Sequence, residues 1–365
     1  MVSLKNIKNK IVAGFIVALI VALALGMPLF AQNLSKKIEV FYRDIKIYVD
    51  GKLMVSQDAS GRVIEPFIYE GATYLPLRAV SEALGKKVDW NGVTNSVYIG
   101  EKPALEISEV TVSTAEEFIA ALGSNKRILL EEGVYNLTKV KPSVVNDPSV
   151  SFKEAYDGPE LVLNGVHNLS IQGVGEKQSE IIIEPRYAYV TRFINCSGVS
   201  IANVKAGHTE EGYCEGGVFS FENSAGIKID NAQMYGCGTY GLNLVKTSDV
   251  TVSGSSVYGC TYGILVIESS SDILFKDCVF RDNEAFTMVS LGFSYNVTID
   301  SCAFMRNTNY DLNYPDPMFS VYKSDNFVIK NTSFTDNAIK IFCDPKDMKF
   351  DPSNTFKNNA FDKAR

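Results

Sequence analysis

The chain has 365 residues, 46 % hydrophobic and 21 % charged, with a formal net charge of −7. That length accommodates two domains and a sizeable core. The acidic balance argues against a nucleic-acid binder, which needs basic stripes, and repels anionic polysaccharide unless cations bridge the two or basic residues cluster locally.

Residues 1–31 read as an export signal. Lys5, Lys8 and Lys10 form a basic start, residues 11–30 an apolar run, and Leu29-Phe30-Ala31 a small-residue cleavage site. The run is nearly long enough to cross a bilayer. Retention as an N-terminal membrane anchor is therefore the alternative to cleavage, and this segment is the only membrane contact expected. Either way the protein is secreted or sits in the cell envelope.

Residues 38–100 predict a small α+β unit. Ile45, Ile47 and Val49 alternate as in a strand, and Asp50-Gly51 is a hairpin turn. A second pair of strands flanks Glu70-Gly71. Pro76 then opens a helix with Leu77, Val80 and Leu84 on one face, and Gly85 closes it. Val88-Asp89-Trp90, a turn at Asn91-Gly92 and Val97-Tyr98-Ile99 return to strand. The block, with Tyr74-Leu75-Pro76-Leu77-Arg78 and Val88-Asp89-Trp90 at its centre, resembles the copper amine oxidase N-terminal-like domain. The resemblance implies a stalk or envelope-binding module. No copper is expected, because the block contains neither His nor Cys.

Lys102-Pro103 marks the joint to the second domain, residues 108–365. Thr114-Ala115-Glu116-Glu117 is a capping box opening a helix, with Phe118, Ile119 and Leu122 on one face and Gly123 as its stop. A solenoid needs such a lid over its open end. Residues 128–135 read as a first coil, residues 141–158 as a long loop, and Leu169-Ser170-Ile171 and Ile181-Ile182-Ile183 as resumed coils.

From Val199 the pattern repeats. Apolar strands begin at Val199, Ile227, Val250, Ile273, Val297 and Phe327, between 23 and 30 residues apart. Seven positions on from the last five fall Met234, Val257, Phe280, Phe304 and Phe334, and ten positions on fall Cys237, Cys260, Asn283, Asn307 and Asn337. A period near two dozen with two or three short strands per copy marks a β-solenoid, whose coils bury their apolar faces only by stacking. The stretch resembles the pectin lyase-like right-handed parallel β-helix family. The expected fold is thus mainly β: a parallel β-helix preceded by a small α+β domain.

Cys237 and Cys260 lie one period apart, as do Cys278 and Cys302. On stacked strands neighbouring Cβ vectors run parallel, poor geometry for bridging, so these cysteines are expected as buried apolar rungs and not as disulfides.

The loop from Gly207 to Gly217 interrupts the repeat and gathers His208, Glu210, Glu211, Tyr213, Cys214 and Glu215. An imidazole beside carboxylates suits general acid–base work. The same carboxylates suit Ca²⁺, although no defined metal-ligand set emerges. Arg186 and Arg192 are candidates to grip a sugar carboxylate. Tyr240 and Tyr262 recur one above the other in Tyr-Gly-Cys segments, and Tyr310 and Tyr314 rim a second interruption; such tyrosines suit sugar rings. The Arg-x-Pro-x-x-Arg segment of calcium-dependent pectate lyases is absent, and Gly207-His208 matches only part of the polygalacturonase pattern. Two functions therefore compete: a non-catalytic surface protein binding polysaccharide or cell wall along the solenoid, and a polysaccharide lyase or glycoside hydrolase using His208, Glu210 or Glu211 with Arg186 or Arg192.

Overall fold

The computed structural model describes residues 38–57, 62–91, 96–101, 106–209, 216–236, 240–309, 316–345 and 350–361. The segment read as an export signal lies outside them. Two compact units result, Met1–Lys102 and Pro103–Arg365.

In the first unit three antiparallel hairpins pair Ile47–Val49 with Lys52–Met54, Phe67–Tyr69 with Ala72–Tyr74, and Val88–Asn91 with Ser96–Ile99. Asp50-Gly51 and Glu70-Gly71 all hold positive φ, the geometry of a turn matched to strand twist. The helix Leu77–Ala83 starts after Pro76, whose fixed φ suits a helix entrance. Phe67 and Tyr74 stack at 5.2 Å. Among the described residues of this unit, only Ser56 and Ser81 are buried.

The second unit is a parallel β-helix. Its described strands form three nine-stranded sheets and one short parallel pair, Glu284–Ala285 with Thr308–Asn309. Sheet A runs from the strand Val150–Ala155 to Ile341–Asp344, sheet B from Ser108–Val112 to Asp325–Lys330, and sheet C from Val134–Asn136 to Thr355–Lys357. Each coil contributes a strand to each sheet, so residues one period apart meet across parallel ladders. In sheet B the register runs Ile227, Val250, Ile273, Val297, Phe327. In sheet C it runs Met234, Val257, Phe280, Phe304, Phe334. These are the rows expected from the repeat. Inside the cylinder Phe280, Phe304, Phe334 and Phe356 stack with centroids 4.6 to 5.2 Å apart. A large apolar side chain in such a row contributes about 3–5 kcal/mol, the usual loss on truncation to Ala.

Turns carry their own ladders. Asn283, Asn307, Asn337 and Asn359 are linked by Nδ2-to-Oδ1 hydrogen bonds of 2.8 to 2.9 Å. Between sheets B and C the one- or two-residue corners turn at Asn203, Asn231, Gly254, Asp277, Ser301 and Asn331, all at positive φ. Asn, Asp and Gly tolerate that region best. It is how the chain changes sheet without a loop.

The helix Ala115–Ala121 covers the N-terminal end. Thr114 accepts from the Glu117 amide, while the Glu117 carboxylate accepts from the Ser113 amide at 2.9 Å, one residue earlier than in an ideal capping box. Its face buries Phe118 and Ile119, with Phe118 edge-on to Tyr135. Tyr135 donates to the Val112 and Glu131 carbonyls, and burial pushes its hydroxyl pKa up to about 12.

Three expectations need correction. The first coil is preceded by the strand Ser108–Val112, whose single buried side chain gives too weak an alternation to read. The stretch expected as a long loop forms the strand Val150–Ala155, antiparallel to Gly158–Asn164. Cys260 is disulfide-bonded, with its partner outside the described residues. It sits in the turn after the strand Ser256–Tyr258, beside Gly259 at φ 68, where Cβ vectors escape the parallel alignment of strands. Cys278 and Cys302 are free buried rungs, the Cys278 amide donating to Cys302 Sγ at 3.3 Å.

Candidate functional site

The sequence candidates among the described residues, Arg186, Arg192, His208, Tyr240 and Tyr262, lie in or beside the segments by which the chain enters sheet A from sheet C. His208 ends the strand Val204–His208, in register with Ile183. It is only 4 % exposed; Nε2 donates to the Ala188 carbonyl at 2.9 Å, and Nδ1 has no partner among the described residues. Burial lowers its pKa and outweighs the Ala188 bond. It is a neutral imidazole fixed in one tautomer, tying sheet C to the segment that enters sheet A. Glu210, Glu211, Tyr213, Tyr310 and Tyr314 lie outside the described residues.

Arg186 closes a turn through its backbone. Its amide donates to the Asp157 carboxylate at 2.7 Å and its carbonyl accepts from Gly216. Arg192, on the strand Thr191–Ile194, is engaged on all sides. Nε and Nη2 donate to Glu160 at 2.8 and 3.1 Å, and Nη1 donates to Glu222 at 2.5 Å. The guanidinium also stacks 4.8 Å from the Tyr189 ring centre. Glu160 further accepts from the Tyr189 amide at 2.7 Å. The segment 186–190 is thus shared: His208 holds it from one side and the Glu160–Arg192 pair from the other.

Strand register extends this cluster along the outer face of sheet A. Arg192, Ser220, Asn243, Val266, Ser290 and Ser320 follow one another across adjacent strands. Asn243 donates to Ser220 Oγ, which donates to Glu222. The next outward lane carries Glu222, Val245, Glu268 and Gly292. At the entrance edge rings line up instead. Tyr189 lies over Gly217 and Tyr240 over Gly263, positions where a Cβ would strike the ring. Tyr240 meets Tyr262 edge-on at 5.8 Å, and Tyr262 meets Phe286 at 4.9 Å. Tyr262 is 43 % exposed. The face therefore has an aromatic border, a polar middle and an acidic far lane.

Sequence reading found Arg192, Tyr240 and Tyr262 but missed Glu160, Tyr189, Glu222 and Phe286. Glu160 is the one charge in the strand Gly158–Asn164, a hint of a buried partner. Among the described residues, no group of three or more His, Cys, Asp and Glu is placed to hold a metal ion.

The right-handed beta helix region model matches residues 168–314 and 216–365, and the copper amine oxidase N-terminal domain model matches residues 19–99 and 48–121. No curated protein matches the chain. Among solved structures, a pectate lyase of a Paenibacillus species aligns at 13 % identity with a TM-score of 0.50, over 64 % of this chain and 72 % of that one. An alginate lyase from a Paenibacillus species aligns at 10 % identity with a TM-score of 0.46, over 70 % and 99 % of the two chains. PfbA, a surface adhesin of Streptococcus pneumoniae, aligns at 11 % identity with a TM-score of 0.40, over 70 % and 74 %. At these identities the likeness speaks for the fold alone. With its repeat region matched over more than half its length, and its strands stacked in three parallel sheets, the chain belongs to the right-handed β-helix family and carries a copper amine oxidase N-terminal domain ahead of the helix.

Proposed function

We propose that the protein is an exported cell-surface or secreted protein whose β-helix binds a polysaccharide across the outer face of sheet A. The observation that carries this reading is the aromatic border: Tyr240, Tyr262 and Phe286 in successive contact, with Tyr262 open to solvent. Rings spaced by the coil repeat match a glycan, whose sugars present apolar faces at intervals and hydroxyls between them. The rings take the faces, and the half-buried Asn243 and Ser290 of the central lane lie alongside for hydroxyls. The apolar N-terminal run fits export.

The test is titration calorimetry of the full chain with soluble fragments of plant and bacterial wall glycans, with and without Ca²⁺, followed by chromatography for new chain ends. Binding without new ends is expected, and Tyr262→Ala should weaken it about tenfold, near the upper end of what one aromatic contact contributes. Binding that ignores Tyr262→Ala would overturn the placement. New unsaturated or reducing ends would make the protein an enzyme.

A further inference from the structure

We infer that the glycan taken by this face is a cationic one, a polymer rich in unacetylated amino sugars, and not a uronate polymer. The inference rests on the reading of the aromatic border as a glycan site and concerns which glycan class it accepts. A uronate chain brings a carboxylate with nearly every sugar and needs cations to receive it. Among the described residues, the central lane offers one, Arg192, and its three nitrogens are already committed to Glu160 and Glu222. Two carboxylates around one guanidinium leave that cluster one negative charge in excess. Further along the face stands Glu268, in register with Gly292, whose missing side chain leaves the carboxylate its room.

The strands of sheet A together carry five carboxylates (Glu154, Glu160, Glu222, Glu268, Asp344) against two cations (Lys153, Arg192). The exposed turn residues Lys246 and Lys323 lie beyond the acidic lane; the Lys323 ammonium rests against the Phe293 and Tyr322 rings, 5.5 and 5.1 Å from their centres. They reduce the excess without reversing it. An ammonium group suits both halves of the face. It is drawn to the surfaces of aromatic rings and to a face with an excess of negative charge. A uronate can stack on the rings as any sugar does, but its carboxylates are disfavoured by those of the face.

The experiment compares three oligosaccharides of equal length by calorimetry on the full chain at low salt and about pH 6: oligoglucosamine, its N-acetylated counterpart, and oligogalacturonate with and without Ca²⁺. Oligoglucosamine is expected to bind about tenfold more tightly than the N-acetylated form, with an advantage that shrinks as salt is added. Oligogalacturonate should bind weakest. Glu268→Gln should weaken oligoglucosamine more than the N-acetylated oligomer, whereas Tyr262→Ala should weaken both. Oligogalacturonate binding as tightly as oligoglucosamine, or a Glu268→Gln effect equal on both amino-sugar oligomers, would overturn the charge assignment and leave glycan binding standing. Failure of all three to bind would remove the glycan site itself, and this inference with it.

Discussion

At the scale of single residues, His208 shows how a group that reads as catalytic is used for architecture. Its Nε2 satisfies the Ala188 carbonyl, and its burial disfavours charge. The folded-state pKa therefore lies below the unfolded value of about 6.5. Above that pH the imidazole is neutral in both states and contributes no pH dependence. As pH falls through about 6.5, the unfolded chain takes up a proton that the folded chain resists, and stability drops until the folded pKa is reached. The slope in that window approaches about 1.4 kcal/mol per pH unit for one proton. His208→Gln keeps a donor for Ala188 and removes the titration. Urea unfolding from pH 8 to pH 5 should give a difference between variant and wild type that is constant above pH 7. Below about pH 6.5 it should move in the variant's favour. Parallel curves across the whole range would show that His208 is not buried as a neutral group.

At the scale of elements, the solenoid is held by rows, and polar rows matter as much as apolar ones. Asn307 donates to the Phe280 carbonyl at 3.0 Å and to Asn337 Oδ1 at 2.9 Å, and accepts from Asn283 Nδ2 at 2.9 Å. It is fully buried, so water cannot replace it. Removing it orphans groups on the coils to either side, at about 1–3 kcal/mol for each buried polar group left unmet. Asn307→Ala should lower stability by at least about 2 kcal/mol. Asn359→Ala, at the partly exposed end of the same row, should cost less than half of that in the same denaturant measurement. Equal losses would mean that the row does not act through burial. These rows were legible in the sequence because the side chain that stacks recurs at a fixed offset from a strand start. The strand Val150–Ala155 was not, because it pairs antiparallel in a hairpin outside the period. Nor was the Glu160–Arg192–Glu222 cluster: its members come from three coils and meet only once register is fixed, and irregular spacing upstream of Val199 hides that register. The tyrosine pair showed because its motif repeats, whereas Phe286 stands in no repeated motif.

At the scale of the molecule, the two units are stabilised very differently. The buried apolar core runs from Val112 to Phe361, with none of it among the described residues of the first unit. Among its described residues that unit is built from two-stranded hairpins, one of them bridged at Ile68 by Phe41, and such hairpins are marginal in water without further strands or a packed face. Its large side chains stay accessible, Trp90 and Tyr48 among them, at 57 and 61 %. The solenoid surrounds each inner strand with neighbours above and below and closes its ends with the helix Ala115–Ala121 and with Phe356 and Phe361. Local opening should follow this division, because amides exchange according to the apolar contact that must be lost to free them. Hydrogen exchange of the full chain at neutral pH should label the strands of residues 47–99 within seconds to minutes. The central strands, such as Val250 to Val252 and Ile273 to Phe275, should stay protected for hours or longer, while the coils nearest the C-terminal end exchange at intermediate rates, since a solenoid unravels from its ends. Slow exchange throughout residues 47–99 would mean that this unit gains its core from a partner surface.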